Sequence, residues 1–443
     1  MLPRARPLQG QRNPVAIAFF NIHIKCTLSM QVCACSLPSG FSPFPGRFMQ
    51  ILDKTPSPFA LQGWPVFRLG FRPFYLGTAL LACLSVPLWV AMFLGHVRFA
   101  LPMPGVLWHG HEMLFGFAAG VVAGFLLTAV KAWTGLPTPR GPLLAGLALL
   151  WLAARVALFV APYPVFAVID VLLLPAVAMA LLRVLVQAGN KRNMPLISLL
   201  LLMALANGVF HLSVLQWVSV PPVSALYAEL GLILMVVCVM AGRVVPMFTK
   251  NVTPGLVIQM PRSLELSVLG VTAVALALWV FAAPAALVAV ASAAAAVLHA
   301  VRLWMWHPQV TLRRPILWVL HASYAWLPLG FALLALAQGG WVPLSLAVHA
   351  FGVGVIGGLI IGMVTRTARG HTGRPLQAGR GEVAAYALVL AAAVLRVLVP
   401  ALQPGWYAYA LEAAACLWAL AFAIYLFIYT PWLTRTRLDG KDG

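Results

Sequence analysis

Residues 141–192 read GPLLAGLALLWLAARVALFVAPYPVFAVIDVLLLPAVAMALLRVLVQAGNKR. Two long apolar runs are separated by Ala161-Pro162-Tyr163-Pro164 and closed by Lys191-Arg192. Each run matches the roughly 20 helical residues that a hydrocarbon core of about 30 Å requires, and proline pairs of this kind end helices. The segment predicts two membrane spans in hairpin, over about 141–161 and 164–188. The same alternation continues in both directions. Toward the N-terminus it predicts spans at about 73–95 and 109–131; toward the C-terminus, at about 195–216, 223–243, 264–283, 285–305, 313–337, 343–367, 383–402 and 406–430. The fold class is therefore all-α: a polytopic integral membrane protein of about twelve transmembrane helices.

Composition agrees. Apolar residues make up 62% of the 443 and charged residues 9%, with a mean hydropathy of +0.95; soluble domains carry about 25% charged residues. A chain this poor in charge cannot clothe its own outside in polar groups, so that outside faces the lipid bilayer. The net charge of +20 does not indicate a nucleic-acid partner, because the basic residues recur in short clusters between apolar runs. Those clusters fall in alternate loops: Lys131 and Arg140, Lys191 and Arg192, Arg243, Lys250 and Arg262, Arg313 and Arg314, Arg366 through Arg380, and Arg435 through Lys441. The intervening loops hold little beyond Arg98. Positive-inside bias then places both termini in the cytoplasm.

Residues 1–48 differ from the rest. A short apolar stretch from Val15 to Phe20 is broken by Asn21, His23 and Lys25, which is poor material for a signal peptide. We expect translation to begin at Met49, with residues 1–48 a non-native or disordered extension, 49–434 the membrane domain and 435–443 a cytoplasmic tail. Of six cysteines, Cys33 and Cys35 form a CxC, and no CxxC or CxxCH occurs, so neither a zinc knuckle nor a covalently attached haem is indicated.

Polar side chains inside spans are costly and commonly functional. The positions of His109, His111, His211 and His349 put all four in one layer, toward the periplasmic side. His321 lies deeper, and His371 sits in the basic loop after the tenth span. Metal or haem ligation, proton transfer and plain interhelical hydrogen bonding are all open to such histidines. Span two is densest: Trp108-His109-Gly110-His111-Glu112-Met113 precedes Gly116, Gly120 and Gly124. Two residues correspond to about 200° of helical rotation, so His109 and His111 serve two sites unless His109 lies in the loop. The glycine row suits close helix packing or a flat slot for a macrocycle, and span ten has a matching row in Gly354, Gly358 and Gly362. Asp170, Glu229, Glu265, Glu412, Arg155 and Arg396 predict interhelical ion pairs, or a proton path.

Several segments together resemble the NnrS family. They are Leu69-Gly70-Phe71-Arg72-Pro73-Phe74, the run from Trp108 to Gly116, Thr128 to Gly135, Gly242 to Thr249, His349 to Gly357, Met363 to Arg366, and Gly370-His371-Thr372-Gly373-Arg374. The resemblance covers the chain from about Met49 to the C-terminus. It implies a haem- and copper-containing protein of the bacterial inner membrane that protects against nitric oxide and nitrosative stress, as in denitrification, with nitric oxide as its ligand. Carried onto this chain, it marks His109, His111, His211, His321, His349 and His371 as recurrent histidines. We expect haem at His111, His211 and His349, with His321 a further candidate, and copper at His109 with Met113, with His371 a further metal candidate. Reduction of nitric oxide would require an electron donor, which the sequence does not identify. The alternative is a transporter or sensor of a metal or metal-nitrosyl complex, in which Met113, Met247 and Met363 join the histidines as a path and an internal repeat of broken spans serves alternating access. The basic stretch around Arg366, Arg369 and Arg374 suits an anion, a partner or the membrane surface.

Overall fold

The computed structural model describes residues 63–441; the expectations for residues 1–48 and for Met49 lie outside them. The described chain is helical without strands, and twelve of its helices are long and apolar enough to cross a membrane. We number them α1 (Phe71–Phe93), α2 (Gly105–Thr134), α3 (Pro142–Val160), α4 (Tyr163–Gln187), α5 (Lys191–Val214), α6 (Pro222–Val252), α7 (Arg262–Val280), α8 (Ala285–Met305), α9 (Pro315–Gln338), α10 (Leu344–His371), α11 (Arg380–Leu402) and α12 (Pro404–Leu433). All twelve coincide with spans read from the apolar runs. The largest difference is at α6, which continues past Arg243 through Pro246 to Val252. A cation ends an apolar run, but backbone hydrogen bonding continues beyond the hydrocarbon.

The exposed large side chains are mainly aliphatic and aromatic, among them Leu84, Val160, Val290 and Phe427. Buried polar groups face inward between helices. This inside-out distribution is that of a bundle whose solvent is lipid. α2, α6, α9 and α10 are the spans most enclosed by protein.

The first and last four spans repeat one another. α2 and α10 both begin as α-helix, widen into a π-helical segment immediately after a histidine, and return to α-helix. The π segments are Glu112–Ala118 after His111 and Ala350–Gly357 after His349. Gly116, Gly120 and Gly124 correspond to Gly354, Gly358 and Gly362. Both helices then close on Thr-Gly-x-Pro, Thr134 to Pro137 and Thr372 to Pro375, with the glycine left-handed in each case, Gly135 at φ 71° and Gly373 at φ 75°. Arg155 in α3 and Arg396 in α11 correspond, as do Asp170 in α4 and Glu412 in α12. α1 and α9 open on Arg72-Pro73 and Arg314-Pro315, and each carries an internal proline, Pro87 and Pro328.

The glycine rows do the same work in both repeats. A Cβ on Gly124 would lie 2.7 Å from Cβ of Phe74 in α1, and one on Gly120 would lie 2.6 Å from Cγ2 of Thr78. In α10, Gly354 meets Trp326, Gly358 meets Ser323, and a Cβ on Gly362 would lie 2.8 Å from Leu320, all in α9. The rows are filled by the preceding span, so neither forms an open slot for a macrocycle. Gly354→Ala should therefore cost about 1–3 kcal/mol through overpacking. Gly352→Ala on the same helix should cost little, because its Cβ enters open space; thermal unfolding of the two variants in detergent measures the contrast.

Candidate functional site

The α-helical start of α2, ahead of its π segment, sends its two histidines to different places, two residues being about 200° of rotation. His111 enters a buried polar cluster between α2, α3, α4 and α5. Its Nε2 lies 3.1 Å from Oδ2 of Asp170, and Nε2 of His211 lies 3.3 Å from the same oxygen. Asn207 donates its Nδ2–H to that oxygen at 2.7 Å. Arg155 pairs with the other oxygen of Asp170, and its Nε lies 3.2 Å from Oε2 of Glu112. The second ring nitrogens are also occupied: Nδ1 of His111 lies 3.1 Å from Oε1 of Glu112, and Nδ1 of His211 lies 2.9 Å from the Tyr163 hydroxyl. Phe115, Phe166 and Phe210 pack against the His111 ring.

The charges in this cluster decide its chemistry. Two carboxylates against one guanidinium leave one net negative charge in a site where Glu112, Asp170, Arg155 and both histidines are buried. One further positive charge, an imidazolium or a bound cation, brings it to neutrality, and burial makes that balance necessary. His111, Asp170 and His211 offer three donor atoms within 4.8 Å of one another. Two donors each about 2.0–2.1 Å from one tetrahedral ion lie roughly 3.3 Å apart, close to the two spacings found here.

His109 faces the other way, into a cavity of about 300 Å³ between α1, α2, α6, α10, α11 and α12. Its ring lies flat against Trp89, with centroids 5.2 Å apart, and within 12° of parallel to His349, with centroids 6.4 Å apart. Nδ1 of His349 donates to the Ser345 carbonyl at 2.7 Å, which leaves Nε2 as the free electron pair. Nδ1 of His109 is buried without a hydrogen-bond partner among the described residues. Met113, Gly110, Gly352 and Arg396 line the same cavity, whose walls are otherwise mainly aliphatic and aromatic.

The six histidines named from the sequence thus fall in four places. His111 and His211 meet, and His109 meets His349 together with Met113. His321 stands apart, with Nδ1 3.2 Å from the Leu317 carbonyl and Nε2 3.4 Å from Thr249. His371 packs on Phe71 at the far end of α10. His349 belongs to the cavity and not to the His111 cluster, so the expected grouping of His111, His211 and His349 is divided between two sites. Of the methionines, Met363 lines a smaller apolar cavity that shares Ile356 with the first, whereas Met247 is exposed. Arg369 is held by Glu382, at 2.6 and 2.8 Å, and Arg366 lies over Phe248; these two cations of the basic stretch are engaged within the fold.

Sequence reasoning singled out Asp170 and Arg155 only as generic ion-pair partners. Each lies about two helical turns from the proline join between α3 and α4, hence at one depth, and that was the available signal. Asn207, Tyr163 and Trp89 gave none.

The family model described as NnrS protein matches residues 65–437, and no curated protein matches the chain.

Asp170 lies within hydrogen-bonding reach of four side chains, Arg155, Asn207, His111 and His211. Asp170→Ala should therefore destabilise the protein by about 3–5 kcal/mol by stranding a buried cation. Its counterpart Glu412, whose 3.0 Å contact with His96 is solvent- or headgroup-exposed, should cost roughly 0–1 kcal/mol when changed to Ala. Chemical or thermal unfolding of both variants checks the difference.

Proposed function

This chain belongs to the NnrS family of nitric-oxide-response membrane proteins, and we propose that it binds haem between His109 and His349 and copper at His111, Asp170 and His211. The observation that carries the haem reading is the His109–His349 pair. The two rings line one cavity, nearly parallel and with centroids 6.4 Å apart. Fit is supported further by the unpartnered Nδ1 of His109, by the free Nε2 that the Ser345 carbonyl imposes on His349, and by apolar walls that suit a macrocycle. Haem held there would supply an iron centre able to react with nitric oxide once one of the two histidines yields its place.

The chain's own residues do the rest. Trp89 fixes the His109 ring, Ser345 fixes the His349 tautomer, and the apolar lining excludes water while admitting a small uncharged gas. For the second metal, Glu112 and Tyr163 hold both Nδ1 atoms, so that both Nε2 atoms converge on Asp170; outer partners of this kind orient metal-binding histidines. Two imidazoles and a carboxylate suit copper, zinc or iron, and a cation there offsets the cluster's excess negative charge. The site lies in the periplasmic half of the bacterial inner membrane, and its role is protection against nitrosative stress.

Transport of a metal or metal-nitrosyl complex is a second reading, favoured by one observation: the four-span repeat with matched interruptions in α2 and α10. Parallel repeats and broken helices characterise many transporters. Met113 and Met363, in two cavities that share a wall residue, would lie on the path.

Purified protein should carry haem near one per chain, with a Soret band that shifts on nitric oxide addition. His109→Ala and His349→Ala should each remove most of it, whereas His321→Ala and His371→Ala should retain it. Haem that exchanges freely, or occupancy indifferent to His109 and His349, would favour transport over a resident group.

A further inference from the structure

The two repeats differ in one respect that bears on what the cavity accepts. In the first, Arg155 is neutralised by Asp170 and Glu112. In the second, the corresponding Arg396 has neither partner. The position equivalent to Glu112 is Ala350, and Glu412, equivalent to Asp170, turns to the exposed edge and pairs with His96 at 3.0 Å. Arg396 is 7% exposed, lines the cavity that holds His109 and His349, and has Nη1 buried without a hydrogen-bond partner among the described residues. Among the described residues its aromatic support is the Tyr407 ring, 5.7 Å away. A guanidinium buried within a membrane span is costly unless paired, and such residues mark ligand sites.

We propose that the missing carboxylate is supplied by the ligand: Arg396 binds an anionic oxygen group in the cavity beside His349. A guanidinium fork matches a carboxylate or another planar oxyanion. That chemistry has two sources, the carboxylate arm of a bound prosthetic group or a small free oxyanion. The proposal deepens the reading of the cavity as a haem site by assigning the charge of what it holds, yet it rests on Arg396 and stands without the metal.

The test uses the purified full-length protein and two readouts, isothermal titration with sodium nitrite and the haem and copper content per chain. If the anion is free, wild type should bind nitrite saturably and Arg396→Gln should bind it about 10- to 100-fold more weakly, the loss expected for a hydrogen-bonded charge, with metal content unchanged. Arg396→Lys should fall between them. If the anion belongs to a prosthetic group, the filled site should not bind nitrite, and Arg396→Gln should release the group at least tenfold faster while His109 and His349 remain intact. Should Arg396→Gln fail to fold, Gly352→Asp places a carboxylate in open space lining the same cavity and should abolish whichever binding is seen. Nitrite binding and group retention both indifferent to Arg396 and to Gly352→Asp would overturn the proposal. Protein that lacks haem but binds nitrite through Arg396 would instead remove the haem reading and leave this one standing.

Discussion

A positive charge buried among apolar helices has to be met by a negative one, and the pairing of Arg155 with Asp170 and Glu112 is how this protein meets that requirement. Around this ion cluster four spans are joined, because Asp170 in α4 also accepts from Asn207 and meets the Nε2 atoms of His111 and His211. The cluster fixes the orientation of α2 about its axis. With His111 turned into it, His109 two residues earlier is turned out, toward the cavity and His349. The division of labour between the two histidines follows from the electrostatics of the first repeat.

The second repeat keeps the backbone device and changes the charge. Its π segment, glycine row and left-handed Thr-Gly closure match those of the first. The π segment matters because it adds width at a histidine, which re-aims that side chain relative to the glycine face; such segments recur at functional positions. The glycine face is meanwhile consumed by packing against the preceding span. What the second repeat gives up is the acid beside its arginine, for Ala350 stands in the place of Glu112 and Glu412 turns to His96 at the exposed edge; where Arg155 sits in a sealed cluster, Arg396 lines a cavity.

Much of this was legible in the residues. The twelve spans were, since crossing hydrocarbon demands uninterrupted apolar length and the loops betray themselves through Pro, Gly and basic residues. The separation of His109 from His111 was too, because two residues of helix cannot place both side chains at one site. The shared layer of His109, His111, His211 and His349 was readable from their distance to the span ends. Which of the four face each other was not, for that depends on rotation about each helix axis, and here rotation is set by buried charge and by π segments that no local residue pattern announces. Asp170 looked like any membrane acid, since its role arises from four side chains on three other helices. The repeat showed itself only as paired glycine rows; the two arginines and the two acids corresponded in position, but only their different partners revealed that the copies had diverged.

The central claim is that His109 and His349 hold one metal-centred group between them. The most direct measurement is an experimental structure of protein purified from cells replete in iron and copper. The account predicts density for a flat macrocycle in the cavity, with a metal between the two rings and an anionic arm at Arg396. Rings of His109 and His349 lying against each other with nothing between them, while the metal of the same preparation sits elsewhere, would contradict it.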